Sequence, residues 1–117
     1  MVTIPVGVAE YGSNEYGEYW KYQNGMMICI GKVDKIITLQ TGTAGGYYDD
    51  GYGIIFPAEF INTDYYCNAK LSANNKIVTI YSMRPSDNRS AFIDFFSHSV
   101  LEAANVKVGW LAIGRWK

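Results

Sequence analysis

The chain consists mostly of short apolar segments that follow a two-residue period or run in blocks of four or five. This pattern is typical of β-strands, because successive side chains of a strand point to opposite faces of the sheet. The best helical candidate, residues 99–105, would form one or two turns at most. We therefore predict an all-β domain with antiparallel strands.

A hairpin is predicted within residues 17–33, where two strand-like segments meet at Asn24-Gly25. Both residues tolerate the positive φ that the centre of a type I′ turn requires. Six further segments have the composition of strands, namely 35–41, 53–60, 64–71, 76–83, 91–96 and 106–116. Residues 84–90 are polar and are expected to form a loop. This spacing predicts a small antiparallel sandwich or barrel of about six to eight strands.

Some predicted strands are apolar on both faces. In a sheet that has one face in water, apolar residues usually alternate with polar ones. One face of the last strand carries Val106, Val108, Trp110, Ala112 and Trp116. Leu111 and Ile113 lie on its other face, and Val78 and Ile80 share one face of the strand over 76–83. We interpret Val78, Ile80, Leu111 and Ile113 as a subunit interface, since interfaces of obligate oligomers resemble a core cut in half. The alternative is a closed sandwich with some exposed apolar side chains.

Length and charge narrow the class of protein. The 117 residues suffice for one domain with its own core. Ten Lys and Arg against eleven Asp and Glu give a net charge of −1, without the basic excess of a nucleic-acid-binding protein. The apolar runs of four or five residues are too short to span a membrane. Nucleic acid and membrane insertion are therefore not expected. Cys29 and Cys67 are expected to be reduced and buried, although one disulfide is an alternative.

The segment "TGTAGGYYDDGYG", residues 41–53, combines glycine with tyrosine and aspartate. It is predicted to be a loop that contacts a ligand, because tyrosine gives a large amphipathic contact area and Asp accepts hydrogen bonds from sugar hydroxyls. The candidate ligand-binding residues here are Tyr47, Tyr48, Asp49, Asp50 and Tyr52. An ordinary hairpin loop is the alternative interpretation. A second candidate segment carries Arg84, Asp87, Asn88 and Arg89, and its two guanidinium groups suit acidic polymers. The alternative is a solvated hairpin end in which Arg84 pairs with Asp87.

Catalytic and metal chemistry find little support in the sequence. His98 is the only histidine, and its neighbours Ser97 and Ser99 do not by themselves form a nucleophile–base pair. One histidine and two distant cysteines do not make a zinc site, and the acidic residues lack the spacing of a calcium loop. We therefore predict no enzyme activity, no metal and no cofactor.

Three blocks carry a resemblance to a known family. The first, "GSNEYGEYWKYQNGMMICIG" (12–31), resembles the block that opens the C-terminal tip domains of many bacteriophage tail fibres. The matching residues of this block are Gly12, Ser13, Asn14, Gly17, Tyr19, Tyr22, Asn24, Gly25, Ile28 and Cys29. "FPAEF" (56–60) is similar to the start of the next strand pair in that family, and "VGWLAIGRWK" (108–117) is similar to its ending. Met26 and Met27 stand where the family often has Thr-Gln, and residues 41–53 match no family pattern.

The resemblance implies an H-type-lectin-like β-sandwich that assembles as a homotrimer at the distal tip of a fibre. It implies a virion protein that folds in the bacterial host cytoplasm and recognises a cell-surface glycan or protein without catalysis. Residues 1–16 would form a leader joined to the fibre shaft, and residues 17–117 the tip domain. The alternatives are a trimerisation cap without its own ligand and a polysaccharide depolymerase.

Overall fold

A computed structural model of the chain describes residues 7–39, 41–43, 46–74 and 78–117. These residues form nine strands and no helix, so none of them belongs to a helix that could cross a membrane. The strands are β1 (Val8–Asn14), β2 (Gly17–Tyr22), β3 (Met26–Leu39), β4 (Thr41–Thr43), β5 (Gly46–Ile55), β6 (Tyr66–Asn74), β7 (Thr79–Asp87), β8 (Ser90–Ser97) and β9 (Leu101–Arg115).

The strands form two antiparallel sheets, which confirms the all-β prediction. The five-stranded sheet has the order β1-β2-β3-β9-β6, and the four-stranded sheet has the order β4-β5-β8-β7. Nine strands exceed the predicted six to eight, because Val8–Asn14 pairs with β2 and residues 41–55 form two strands. The proposed boundary between a leader and a tip domain at residue 16 stays a prediction.

Two long strands correct local predictions. β3 is continuous over the two segments predicted as separate strands, and β9 includes the helical candidate at 99–105 from Leu101 onward. The two strands pair along almost their whole length, so each satisfies the backbone groups of the other. Ala103 has a φ of 51°, next to a register shift in this pairing, so the irregularity of the segment is a bulge.

The hairpin predicted at Asn24-Gly25 is present, but its turn is not type I′. Lys21 pairs with Met27, so three residues connect the strands. The Gly25 N–H donates to the carbonyl oxygen of Tyr22 at 3.0 Å, and Gly25 alone in this turn has a positive φ, 98°. This is the three-residue hairpin connection that places glycine in a bulge.

The core lies between the two sheets. On β9 the predicted inner face is confirmed, since Val106, Val108, Trp110 and Ala112 are buried. Other fully buried side chains come from both sheets and include Met27, Cys29, Leu39, Ile93 and Phe95. Val78, predicted for a subunit interface, is 6% exposed and belongs to this core, and Ile80 packs against it. These two residues are therefore covered by the chain itself, because the opposite sheet shields their face.

The segment that connects β5 to β6 contributes an aromatic cluster to the core. Phe60 and Tyr65 stack with their ring centroids 4.7 Å apart, and Phe56 contacts both edge-on. The Tyr65 hydroxyl lies 2.8 Å and 2.6 Å from the carbonyl oxygens of Asp87 and Ser90, which share its single proton. This cluster fixes the β7–β8 turn against the connection that follows β5.

The two terminal blocks of the resemblance meet in space. The Trp116 indole N–H donates to the carbonyl oxygen of Tyr22 at 2.8 Å, and the Arg115 guanidinium donates to that of Asn24 at 2.8 Å. The Trp116 backbone N–H donates to the carbonyl oxygen of Gly25 at 2.9 Å. The chain's last residues therefore fasten the β2–β3 turn.

Cys29 and Cys67 are free thiols, as expected, but only Cys29 is buried, whereas Cys67 is partly exposed. Both are paired with Ala112, from opposite sides of β9. Their Cα atoms are consequently two strand spacings apart, about 10 Å, and this is beyond the reach of a disulfide. Burial raises the pKa of the Cys29 thiol to about 12.

Candidate functional site

The tyrosine-rich segment 41–53 is not the loop that its composition suggests. Thr41–Thr43 pairs with residues 46–48, and β5 then pairs with β8. Tyr47 and Tyr52 are partly buried and pack against the core. The Tyr52 ring lies 6.5 Å from that of Phe95, and the Lys35 Nζ is 4.9 Å from the Tyr52 ring centroid. At least two of the five predicted contact residues thus support the sandwich.

Tyr48, Asp49 and Asp50 lie within β5, and their side chains fall outside what the structure describes. A register shift separates Asp49 from Tyr52 in the pairing with β8, so this part of the strand is bulged. The ligand-binding role of the segment stays a prediction.

The second predicted segment is also mainly strand, because β7 extends to Asp87 and only two residues form the turn to β8. Arg84 donates to both carboxylate oxygens of Asp94, from Nε at 3.0 Å and from a terminal nitrogen at 3.3 Å. Asp94 is 2% exposed, so this ion pair compensates a buried carboxylate. The alternative interpretation of the sequence had paired Arg84 with Asp87. Arg84 is opposite Phe92 and Asp94 is opposite Ser82 in the strand register, so the ion pair runs diagonally across β7 and β8, which local sequence does not reveal.

The other three residues of this segment organise the turn. The Asp87 carboxylate accepts hydrogen bonds from the Arg89 backbone N–H at 2.8 Å and from the Ser90 hydroxyl at 2.9 Å, and both lower its pKa. The Asn88 amide donates to the Glu59 carboxylate, and Arg89 Nε donates to the Phe56 carbonyl oxygen at 3.4 Å. The four residues are close together, but their polar groups are largely engaged within the chain.

The outer face of the five-stranded sheet carries an apolar row that the sequence did not single out as a whole. Strand register aligns one residue from each strand, and we call this set the outer row: Tyr11, Trp20, Ile28, Ile113 and Tyr66. Tyr11 is 43% and Tyr66 64% exposed, while the middle three are half-buried. The rings of Tyr11 and Trp20 are 5.2 Å apart. The sequence indicated only that β9 has a second apolar face, which carries Leu111 and Ile113.

Beside the outer row lies a groove of about 850 Å³, which we call the sheet groove. Residues from four strands, β2, β3, β6 and β9, line it, and Gly109 of β9 leaves its centre open. Its principal lining residues are Glu18, Ile30, Lys32, Lys70, Gly109 and Leu111. Lys32 and Lys70 both align with Gly109 in the strand register. A side-chain carbon added at Gly109 would meet nothing within 4 Å, so the groove is shaped by a missing side chain. Two ammonium groups, one carboxylate and an apolar wall suit a polar, partly anionic ligand.

Groups for catalysis are not assembled in the described part of the chain. His98 is exposed and packs edge-on against Phe96 at 5.3 Å, while Ser97 is 3% exposed. The described residues contain no group of three or more His, Cys, Asp or Glu that could hold a metal ion.

The fold is similar to solved structures of pyocin tail fibres. A C-terminal portion of the R1 pyocin fibre of P. aeruginosa matches 92% of this chain with a TM-score of 0.56 and 16% identity. An N-truncated R1-type pyocin tail fibre matches the same share, with a TM-score of 0.56 and 17% identity. An N-truncated R2-type fibre gives a TM-score of 0.53 and 16% identity, also over 92% of this chain.

The chain spans 28% of the first of these structures, 87% of the second and 39% of the third. No protein-family model and no curated protein matches the sequence. The resemblance read from the three sequence blocks is thereby confirmed at the level of the fold, which is that of tail-fibre C-terminal domains.

Proposed function

We propose that this chain is the receptor-binding domain of a tail fibre, from a phage or a phage-tail-like bacteriocin, and that it recognises a bacterial surface glycan or protein without catalysis. The observation that carries the proposal is the pyocin-fibre fold over 92% of the chain. As part of a tail fibre, the domain would belong to a virion or virion-like particle.

We assign receptor contact to the sheet groove. It combines charged rims with an apolar wall, whereas the polar groups of Arg84, Asp87, Asn88 and Arg89 are mostly used within the chain. The tyrosine segment at 41–53 stays a further contact candidate. A glycan and a protein receptor both fit these groups, and the cell-binding experiment below separates them.

The test is adsorption of the fluorescently labelled chain to a panel of bacterial strains that includes P. aeruginosa, measured by flow cytometry. Gly109→Leu should obstruct the centre of the sheet groove and weaken binding at least tenfold, while Gly109→Ala adds a single carbon and should bind. Both variants should fold, because the site next to Gly109 is open. Periodate treatment of the cells should remove a glycan receptor, and protease treatment a protein receptor. Binding that is unchanged in Gly109→Leu would refute the groove assignment, and failure to bind any strain would refute the function.

The outer row supports a homotrimer, in which Ile113 would contact neighbouring subunits, whereas Leu111, the other predicted interface residue of this strand face, lines the sheet groove. An apolar band across all five strands is costly to leave in water, and burial recovers about 25 cal/mol per Å². The same observation favours the second candidate function, a structural trimerisation cap without its own ligand. The cap would show the trimer but no adsorption to cells.

Light scattering tests the trimer, which should appear at about 39 kDa, three times the 13.1 kDa chain. Ile113→Asp should give a folded monomer, because the residue lies on the outer face. Ile55→Asp is the matched control, since Ile55 is 46% exposed in the other sheet and should leave the trimer intact. A wild-type chain that stays at 13.1 kDa would contradict the assembly.

A further inference from the structure

In the sheet groove, two lysines flank a position that has no side chain. Lys32 of β3 and Lys70 of β6 are both aligned with Gly109 of β9, one on each side of it. Their Cα atoms are therefore two strand spacings apart, about 10 Å. A side-chain carbon at Gly109 would meet nothing within 4 Å, so the space between the two lysines is open on the outer face of the sheet.

The positive charges of these two lysines are not compensated within the described part of the chain. Both side chains are exposed, and neither forms an ion pair there. The acidic residues in the adjacent rows of the sheet have other neighbours. Glu18 accepts a hydrogen bond from the Tyr11 hydroxyl at 2.6 Å, and Asp34 lies opposite Lys107 in the strand register, where opposite charges attract. The groove thus holds a local excess of positive charge in a chain whose net charge is −1.

The arrangement suits an anion that both lysines share. Two like charges on either side of an open position repel each other, and an anion between them attracts both. Each ammonium group ends a flexible four-carbon stem, so the two groups can approach the space above Gly109 from opposite sides. Ile30 and Leu111, which are aligned with each other in the next row, border this space. Their apolar side chains would contact the part of the ligand that carries the anion.

We infer that Lys32 and Lys70 bind a phosphomonoester group of the surface receptor in the space above Gly109. A phosphomonoester carries about −1.5 to −2 charges at pH 7, which matches two ammonium groups, whereas a carboxylate or a phosphodiester carries a single charge. Its three terminal oxygens point in different directions, so they can accept from donors on both sides. Lysine binds phosphate as a point charge and does not need the planar geometry that an arginine requires. This inference rests on the proposed function and specifies the charged group that the sheet groove recognises.

The experiment is a titration of the ¹⁵N-labelled chain with four probes, followed through the backbone amide resonances of Lys32, Lys70 and Gly109. Glucose 6-phosphate, glucuronate and glucose share one ring and differ only in the group at its last carbon, and dimethyl phosphate represents a diester. The buffer contains no phosphate and about 20 mM salt, because exposed charges are strongly screened at higher ionic strength. Glucose 6-phosphate should bind with millimolar affinity. Glucuronate and dimethyl phosphate should bind about fivefold more weakly or worse, and glucose should not bind.

Removal of single charges separates this site from a general attraction of anions. Lys32→Met and Lys70→Met each remove one ammonium group and should weaken binding of glucose 6-phosphate about fivefold or more, and the double variant should abolish it. Lys117→Met is the matched control, because it removes the same charge beyond the end of β9 and should leave the affinity almost unchanged. All three lysines are exposed, so the variants should fold. Equal affinities for glucose 6-phosphate and glucuronate, or an equal loss in Lys117→Met and Lys70→Met, would overturn the inference.

Failure of this inference is distinguishable from failure of the proposed function. A chain that adsorbs to cells but does not bind glucose 6-phosphate refutes the phosphate assignment and leaves receptor binding in place. A chain that binds glucose 6-phosphate through both lysines but adsorbs to no strain supports the anion site and refutes the role in cell attachment. Periodate and protease treatment of the cells distinguishes a glycan that carries the phosphate from a protein that carries it.

Discussion

Gly114 lies in the C-terminal block (108–117) that resembles the ending of tail-fibre chains. We predict that this position does not tolerate a side chain. A Cβ placed there would lie 2.7 Å from the Tyr65 Cβ and 2.9 Å from the Phe60 Cδ1. Both distances are well inside van der Waals contact, and the two neighbours cannot easily move. Phe60 is 2% exposed, and the Tyr65 ring is stacked on it at 4.7 Å. Gly114→Ala therefore tests whether the aromatic cluster is as tightly packed as the structure indicates.

The expected cost follows from two contributions. Forcing one extra carbon into a close-packed core typically costs about 1–3 kcal/mol. Displacing Tyr65 also weakens its hydrogen bonds to the carbonyl oxygens of Asp87 and Ser90, worth about 1 kcal/mol. Gly114→Ala should accordingly lower the free energy of unfolding by about 2–4 kcal/mol, a large share of the 5–15 kcal/mol typical of a domain.

The assay is urea unfolding at fixed protein concentration, followed by tryptophan fluorescence, with Gly109→Ala as the matched control. Gly109 lies five residues earlier in the same strand, and a Cβ there would meet nothing within 4 Å. Its replacement by Ala should be neutral or stabilising by up to about 1 kcal/mol, because it restricts the unfolded chain. Equal midpoints for the two variants, with unchanged slopes, would refute the packing argument.

Three further predictions concern individual interactions. Trp116→Phe should lower the free energy of unfolding by about 1 kcal/mol in urea, because the Tyr22 carbonyl loses its donor; no change would show that the C-terminal contact does not contribute. Arg84→Met should cost about 3 kcal/mol by leaving the Asp94 carboxylate buried without this partner, and addition of Asp94→Asn should restore part of it; additive costs in the double variant would argue against the pair. Because burial raises the pKa of Cys29 to about 12, its thiol is protonated near pH 8; in a Cys67→Ser variant, which removes the partly exposed second thiol, Ellman's reagent should react only after unfolding, and fast labelling of the folded chain would contradict the placement of Cys29.

Local sequence predicted the parts of this fold that depend on one strand at a time. The period-two pattern of β9 identified its inner face, since Val106, Val108 and Ala112 are buried as expected. The Asn24-Gly25 pair located a hairpin because glycine is needed where the chain reverses, although the turn has three residues. Such features follow from the geometry of neighbouring residues, which the sequence contains directly.

Tertiary structure decided which strands became neighbours, and with them the candidate sites. The segment at 41–53 looked like a loop from its glycines, but pairing with β8 makes most of it strand. Arg84 forms its ion pair diagonally across two strands with Asp94 rather than with Asp87, and the outer row exists only because five separate strands align in register. Alternation along a strand determines which face is apolar, but the partner across the sheet is chosen by packing between distant parts of the chain.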